Sequence, residues 1–134
     1  MINLILNKIR IDENRNEQVI IFKEEKGERF LPVVIGITEV NAIKLKLSGI
    51  KPPRPLTHDL LYGIVESLGA RFEKVVIDRL EENTFFAKIY LRSADNKPII
   101  VDARPSDSVA LALRAEIPIM IDEMVIDQAG VTEI

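Results

Sequence analysis

Residues 51 to 55 read Lys-Pro-Pro-Arg-Pro, and prolines at 52, 53 and 55 rule out a helix across that stretch. Each proline also holds the residue before it extended, so the segment is a rigid connector and not a loose linker. An amphipathic stripe lies on either side of it. Upstream, Val40, Ile43 and Leu47, with Ala42 and Leu45, recur at helical spacing between Thr38, a plausible N-cap, and Gly49, a plausible stop. Downstream, Thr57 is expected to cap a second helix in which Leu60, Leu61, Ile64, Val65 and Leu68 share one face as far as Gly69. Two helices joined by a stiff arm must lay those faces on something else.

That partner is a set of strands. Val19-Ile20-Ile21-Phe22 and Phe30-Leu31-Pro32-Val33-Val34-Ile35 are β-branched and aromatic runs around a charged tip, Lys23 to Arg29, which is expected to be solvated and to turn at Lys26-Gly27. Pro32 lacks a ladder donor, which points to an edge or a bulge. Ile2 to Ile11 is read as a further strand although its apolar residues alternate poorly. After the second helix, Phe72–Asp78, Thr84–Leu91 and Pro98–Asp102 read as successive antiparallel strands with turns at 81–83 and 94–97. Ser106 is expected to cap a third helix with Val109, Ala110 and Leu113 inward. Ile117 to Ile121 returns as a short strand, and Asp122 to Gln128 forms a last helical turn. Helices and strands come in blocks without regular alternation, so the expected class is α+β with a mostly antiparallel sheet and about three helices, in one domain over residues 1–134.

Composition narrows the chemistry. There is no cysteine, which excludes disulfides, thiolate metal sites and thiol nucleophiles. One histidine, His58, excludes zinc sites built on two or three imidazoles. No apolar run approaches the roughly 18 residues of a membrane span, and residues 1–10 do not read as a signal peptide, so a cytoplasmic protein without a membrane partner is expected. A net charge of −3 gives no global field for holding a polyanion; any nucleic-acid contact must be local.

Two polar clusters remain to supply that contact. In the first, Lys51 and Arg54 ride the proline arm, and His58 and Asp59 fall in the first turn of the second helix, where anions and hydrogen-bond acceptors are favoured. The second is Asp102-Ala103-Arg104-Pro105-Ser106-Asp107, in which Asp102 and Arg104, two apart at a strand end, are expected to point the same way. Capping and a strand-end ion pair account for each cluster taken alone. Taken together they offer carboxylates for a divalent cation, a guanidinium suited to phosphate and an imidazole for proton transfer. Glu39 and Asn41 could lie nearby. No Gly-rich phosphate loop, nucleophile elbow or aromatic pair for base stacking is present.

The order of these words is more specific than any one of them. Leu31-Pro32-Val33-Val34-Ile35-Gly36 with Glu39-Val40-Asn41-Ala42-Ile43, then Arg54-Pro55-Leu56-Thr57-His58-Asp59, Asn83-Thr84-Phe85-Phe86-Ala87 and Asp102-Ala103-Arg104-Pro105-Ser106-Asp107 resemble the bifunctional nuclease domain family over nearly the whole chain. The resemblance implies one α+β domain that forms homodimers or larger homo-oligomers, and a nuclease acting on RNA, DNA or both. The UvrB/UvrC-like helical motif that follows the domain in some relatives is not expected here. The positions carried over are His58, Asp59, Asp102, Arg104 and Asp107, with Arg54 beside them. Residue chemistry suggests their roles: Asp102 and Asp107 with Asp59 would hold Mg²⁺ or Mn²⁺, Arg54 and Arg104 would bind phosphate, and His58 would activate water; no organic cofactor is expected. The alternative is a non-catalytic oligomeric binding or regulatory module whose charged clusters are structural.

Overall fold

The computed structural model describes residues 1–12 and 17–134. In chain order they form β1 (Ile2–Asp12), β2 (Glu17–Glu24), β3 (Phe30–Ile35), α1 (Ile37–Ser48), α2 (Thr57–Ser67), β4 (Arg71–Glu81), β5 (Thr84–Arg92), β6 (Pro98–Ala103), α3 (Pro105–Ala115), β7 (Ile119–Ile121) and α4 (Glu123–Ala129). The fold is α+β, with one helix more than expected because the last turn at 123–129 is a full short helix.

All seven strands make one sheet in the order β3-β2-β1-β7-β4-β5-β6. Two antiparallel meanders, β1-β2-β3 and β4-β5-β6, are joined through β7, antiparallel to β1 and parallel to β4. The short return strand is therefore the centre of the sheet. It is only three residues long because it pairs with just Ile2–Leu4 on one side and Val75–Ile77 on the other. The poor alternation of β1 also has a cause. Leu6 opposes Phe22 and Lys8 opposes Ile21, so a bulge between them shifts the inward set from Leu4 and Leu6 to Ile9.

One sheet face carries the core. Leu4, Ile20, Phe22, Leu31, Val33, Val75, Ile77, Ala87, Ile89, Ile119 and Ile121 form a single cluster with Val40 and Ile43 of α1, Val109 to Ala112 of α3, and Val125 and Ile126 of α4. Helix α2 joins it only through Tyr62 and Val65. Leu60, Leu61, Ile64 and Leu68, the rest of its apolar stripe, remain 42–75% exposed.

The two sheet edges differ. On β3, Phe30 and Val131 exchange backbone hydrogen bonds of 2.7 and 2.8 Å, which covers that edge. Pro32, two residues on, turns its nitrogen to the same side, where no ladder donor is lost. On β6, Ile99, Ile100 and Val101 are 39%, 55% and 42% exposed.

Three local expectations are corrected. The helices start before the hydroxyl residues expected to cap them: Gly36, Leu56 and Arg104 are the N-caps, none with a side-chain cap bond, and Thr38, Thr57 and Ser106 lie inside the first turns. Pro105 explains α3, since its fixed φ suits the first helical position. Nor is the Lys23–Arg29 tip uniformly solvated. Glu24 is buried and accepts from the Arg29 side chain at 2.7 and 3.0 Å and its N–H at 3.1 Å, while Arg29 also reaches Asp127 at 2.6 Å. A Cβ on Gly27 would stand 2.0 Å from Glu24 Oε2, so a larger residue there would push that carboxylate from its place. Finally, Asp102 and Arg104 do not point the same way, because strand alternation ends at Ala103 and Arg104 already belongs to the helix start.

Candidate functional site

Three helix N-termini meet at one end of the core-bearing sheet face. Helix α1 contributes Glu39 from its first turn, α2 His58, and α3 Asp107 together with its cap residue Arg104. His58 Nε2 lies 2.9 Å from Asp107 Oδ1. Arg104 donates from Nε to Asp107 Oδ2 at 2.8 Å and from Nη2 to Oδ1 at 3.3 Å, and the same Nη2 lies 3.3 Å from Glu39 Oε1. Asp107 thus takes a bidentate guanidinium on one side and an imidazole on the other, at the positive end of α3.

Burial alone would raise the Asp107 carboxyl, but the Arg104 and His58 hydrogen bonds outweigh it and hold it below the usual carboxylate range. The hydrogen bond to Asp107 raises Arg104 further. The imidazole of His58 is buried, whereas the Arg104 side chain is 68% exposed. An anion arriving from solvent therefore meets the guanidinium first.

This constellation forms the polar end of a cleft of about 500 Å³. Thr38 and Thr57 complete that end. Val65, Phe72, Ile89, Leu91 and Leu111 line the remainder, and Leu61 and Val101 lie at its walls. Phe72 is backed by Tyr62, stacked at 5.6 Å between ring centroids.

The other expected site residues lie elsewhere. Asp102 borders the cleft, but its carboxylate turns to Lys88 Nζ at 3.3 Å, and that lysine also faces Asp78 at 3.5 Å. Lys88 pairs directly with Asp102 across β5 and β6 and alternates with the inward Ala87 and Ile89, so this group sits on the opposite sheet face. Asp59, next to His58, bonds the Arg114 guanidinium and accepts the Leu56 N–H at 3.0 Å. The Arg114 hydrogen bond is the largest cause of its lowered pKa, against an opposing effect of burial. Asp59 and Arg54 line a separate groove of about 370 Å³ with Lys46, Lys51 and Arg114.

His58, Arg104 and Asp107 therefore come together, whereas Asp59, Asp102 and Arg54 do not join them. The three carboxylates do not form one donor set for Mg²⁺ or Mn²⁺: each is engaged by a different cation, and among the described residues no group of three histidine or carboxylate side chains is placed to hold a metal ion. Glu39 does reach the site, whereas Asn41 is an exposed residue outside the cleft. Arg114 had no role in the sequence reading. Its signal is spacing: it lies seven residues after Asp107, two turns along the same face of α3.

Comparisons with known proteins agree with the motif words. A family model described as "Bifunctional nuclease domain" matches residues 20–133. Over 122 residues the chain is 44% identical to an uncharacterised protein of Mycobacterium tuberculosis, covering 91% of this chain and 72% of that one. It is 24% identical over 120 residues to Bifunctional nuclease 1 of Oryza sativa subsp. indica (87% of this chain, 36% of that protein) and 25% identical over 107 residues to Bifunctional nuclease 2 of Arabidopsis thaliana (78% and 32%). The chain spans about a third of the length of these plant relatives.

Proposed function

The chain belongs to the bifunctional nuclease domain family, and from that premise we propose that it hydrolyses phosphodiester bonds of RNA or DNA in the cleft where His58, Asp107 and Arg104 meet. The observation that carries this reading is the His58–Asp107 contact of 2.9 Å beside an exposed guanidinium. Asp107 orients the imidazole, as a carboxylate does in hydrolytic dyads, and His58 takes the proton of an attacking water. The water oxygen forms the new P–O bond as the bond to the sugar oxygen breaks; the leaving oxygen, on the far side of phosphorus, takes a proton from solvent, and His58 releases to solvent the one it accepted. Arg104 stabilises charge on the non-bridging oxygens, exchanging one of its carboxylate contacts for phosphate.

The test uses labelled single- and double-stranded RNA and DNA with the wild type, His58→Ala, Asp107→Asn and Arg104→Met. The expected result is a loss in each variant, about 10²-fold or more for His58→Ala. Turnover unchanged in both His58→Ala and Asp107→Asn would overturn the reading.

A second reading, a non-catalytic homo-oligomeric module, has its own observation in the open edge of β6. Ser93 N–H donates to Lys97 O at 2.9 Å, and ladder bonds alternate from there, so Ile100 turns its N–H and C=O away from β5. A second copy related by a two-fold axis at Ile100 would pair with those groups and set Ile99 of each copy against Val101 of the other. The exposed leucines of α2 lie on the helix-bearing side of the same half of the sheet. We propose a homodimer through this edge; it is compatible with hydrolysis in the cleft and would stand without it.

A further inference from the structure

Of the cavities outside the cleft, the groove under the proline arm has the most one-sided charge. Lys46, Lys51 and Arg54 line it, and none of the three takes part in an ion pair among the described residues. Its one carboxylate, Asp59, is neutralised by Arg114. Three unbalanced cations thus converge in a protein whose net charge is −3. Lys46 comes from the last turn of α1, whereas Lys51 and Arg54 sit on a segment whose prolines fix the backbone before any ligand arrives, which lowers the ordering cost of binding.

The groove and the cleft are adjacent. His58 lines one and its neighbour Asp59 the other, so the two flank the first turn of α2, a helix about 10 Å across. The turn between them carries backbone N–H groups at the positive end of an 11-residue helix. Arg104 on one side and Arg54, Lys51 and Lys46 on the other thus flank the start of α2, and the carboxylates between them, Asp107 and Asp59, are each already paired with an arginine.

We infer that this path carries the sugar–phosphate backbone of a single-stranded nucleic acid, with one unstacked nucleotide in the cleft and the phosphates of the following nucleotides in the groove. The inference rests on the hydrolytic reading for the role of the cleft and adds the substrate class. A volume of about 500 Å³ with an apolar interior suits a base taken out of the stack, which a paired strand cannot supply without melting. The groove has cations and proline rings but no aromatic side chain, so it follows backbone and leaves sequence unread. An acidic peptide would find the same cations, but not a cleft with an apolar interior and a phosphate-accepting end.

The experiment is fluorescence anisotropy of a labelled oligothymidylate hexamer, a hexamer duplex and hexaglutamate. Each is titrated against the wild type, the Lys46→Ala/Lys51→Ala/Arg54→Ala triple variant and His58→Ala over a salt series, with circular dichroism melts to show that the variants fold. The triple variant should bind the single strand at least 10-fold more weakly at low salt, with a log K against log salt slope shallower by about 2, three phosphate contacts at roughly 0.7 each. His58→Ala should keep the wild-type salt slope, since it removes no phosphate-contacting cation of the groove, while losing hydrolysis. Wild type that does not bind the hexamer, an unchanged slope in the triple variant, or equal binding of the duplex or hexaglutamate would overturn the inference. Binding that depends on the three cations in a protein that hydrolyses nothing would defeat the hydrolytic reading and leave the groove standing. Hydrolysis with unchanged binding in the triple variant would do the reverse.

Discussion

Two acid–base contacts tie α2 to α3, His58 to Asp107 and Asp59 to Arg114, and they differ in what else can reach them. The Arg114 side chain is 7% exposed and also donates to Ala110 O at 3.3 Å, while Asp59 also accepts the Leu56 N–H. Both Nε and Nη1 of Arg114 are engaged within the protein, and the cation of this pair is buried. In the other contact, Asp107 shares its oxygens with a guanidinium that stands largely in solvent at the mouth of a cleft. A closed pair fixes the angle between two helices, whereas one ending in a reachable cation can exchange partners with a ligand. Charge type alone does not separate structural from chemical residues here; access does.

The largest effect expected from this contrast is on turnover. His58→Ala should lower kcat/KM by about 10²–10⁴-fold in a protein that still folds, whereas Asp59→Ala should act mainly on stability and leave turnover nearly unchanged. Removing Asp59 leaves a buried Arg114 unpaired and should destabilise by about 3 kcal/mol, read from urea or thermal midpoints. If Asp59→Ala abolished turnover in a fully folded protein, the two contacts would not divide as argued.

Acid should weaken both contacts together. Asp59 and Asp107 have folded-state pKa values below their unfolded ones, so the stability they confer is complete above the unfolded carboxylate value, about 4, and is lost as pH falls through the lower folded values. Urea midpoints measured from pH 6 to pH 3 should fall across that window for the wild type. Asp59→Ala should show a shallower fall, and a curve parallel to wild type would remove Asp59 from the account.

The open and covered sheet edges supply a smaller contrast. Ile100→Pro removes an N–H that points away from β5, so it should leave the β5–β6 ladder and the fold intact while weakening association of a second copy. Light scattering after size exclusion would show this. An assembly unchanged by Ile100→Pro would mean that this edge is not the contact.

Local rules reached a good deal of this molecule. β-Branched and aromatic runs located the hairpins, helical spacing located three helices, and of the edge or bulge that Pro32's missing donor allowed, the edge is found. What escaped depends on contacts distant in sequence. Nothing within Ile119–Ile121 marks three residues as the centre of a sheet; its place comes from β1 and β4 leaving a gap of that length. The inward set of β1 changes phase at a bulge that only its pairing with β2 reveals. At the site, His58, Arg104 and Asp107 could be named because each lies at a helix start, where acids and hydrogen-bonding groups gather for reasons visible in sequence. Their partners could not: Asp107 over Asp102 for His58, and Arg114 for Asp59, are set by how α2 crosses α3.

The smallest predicted effect is also the most discriminating for Asp102. Strand alternation carried to Arg104 would put its carboxylate in the cleft, but the helix starts one residue after Ala103, so only Asp102 keeps the strand's phase and it faces Lys88. Its side chain is 75% exposed, and such pairs contribute about 0–1 kcal/mol. Asp102→Asn should therefore leave the melting temperature nearly unchanged and hydrolysis at the wild-type rate, where Asp107→Asn, five residues on, loses most of it. Assayed side by side on one substrate, the two variants ask whether the second cluster acts through its strand end or its helix start. A large loss in Asp102→Asn would place the reacting groups on the other face of the sheet.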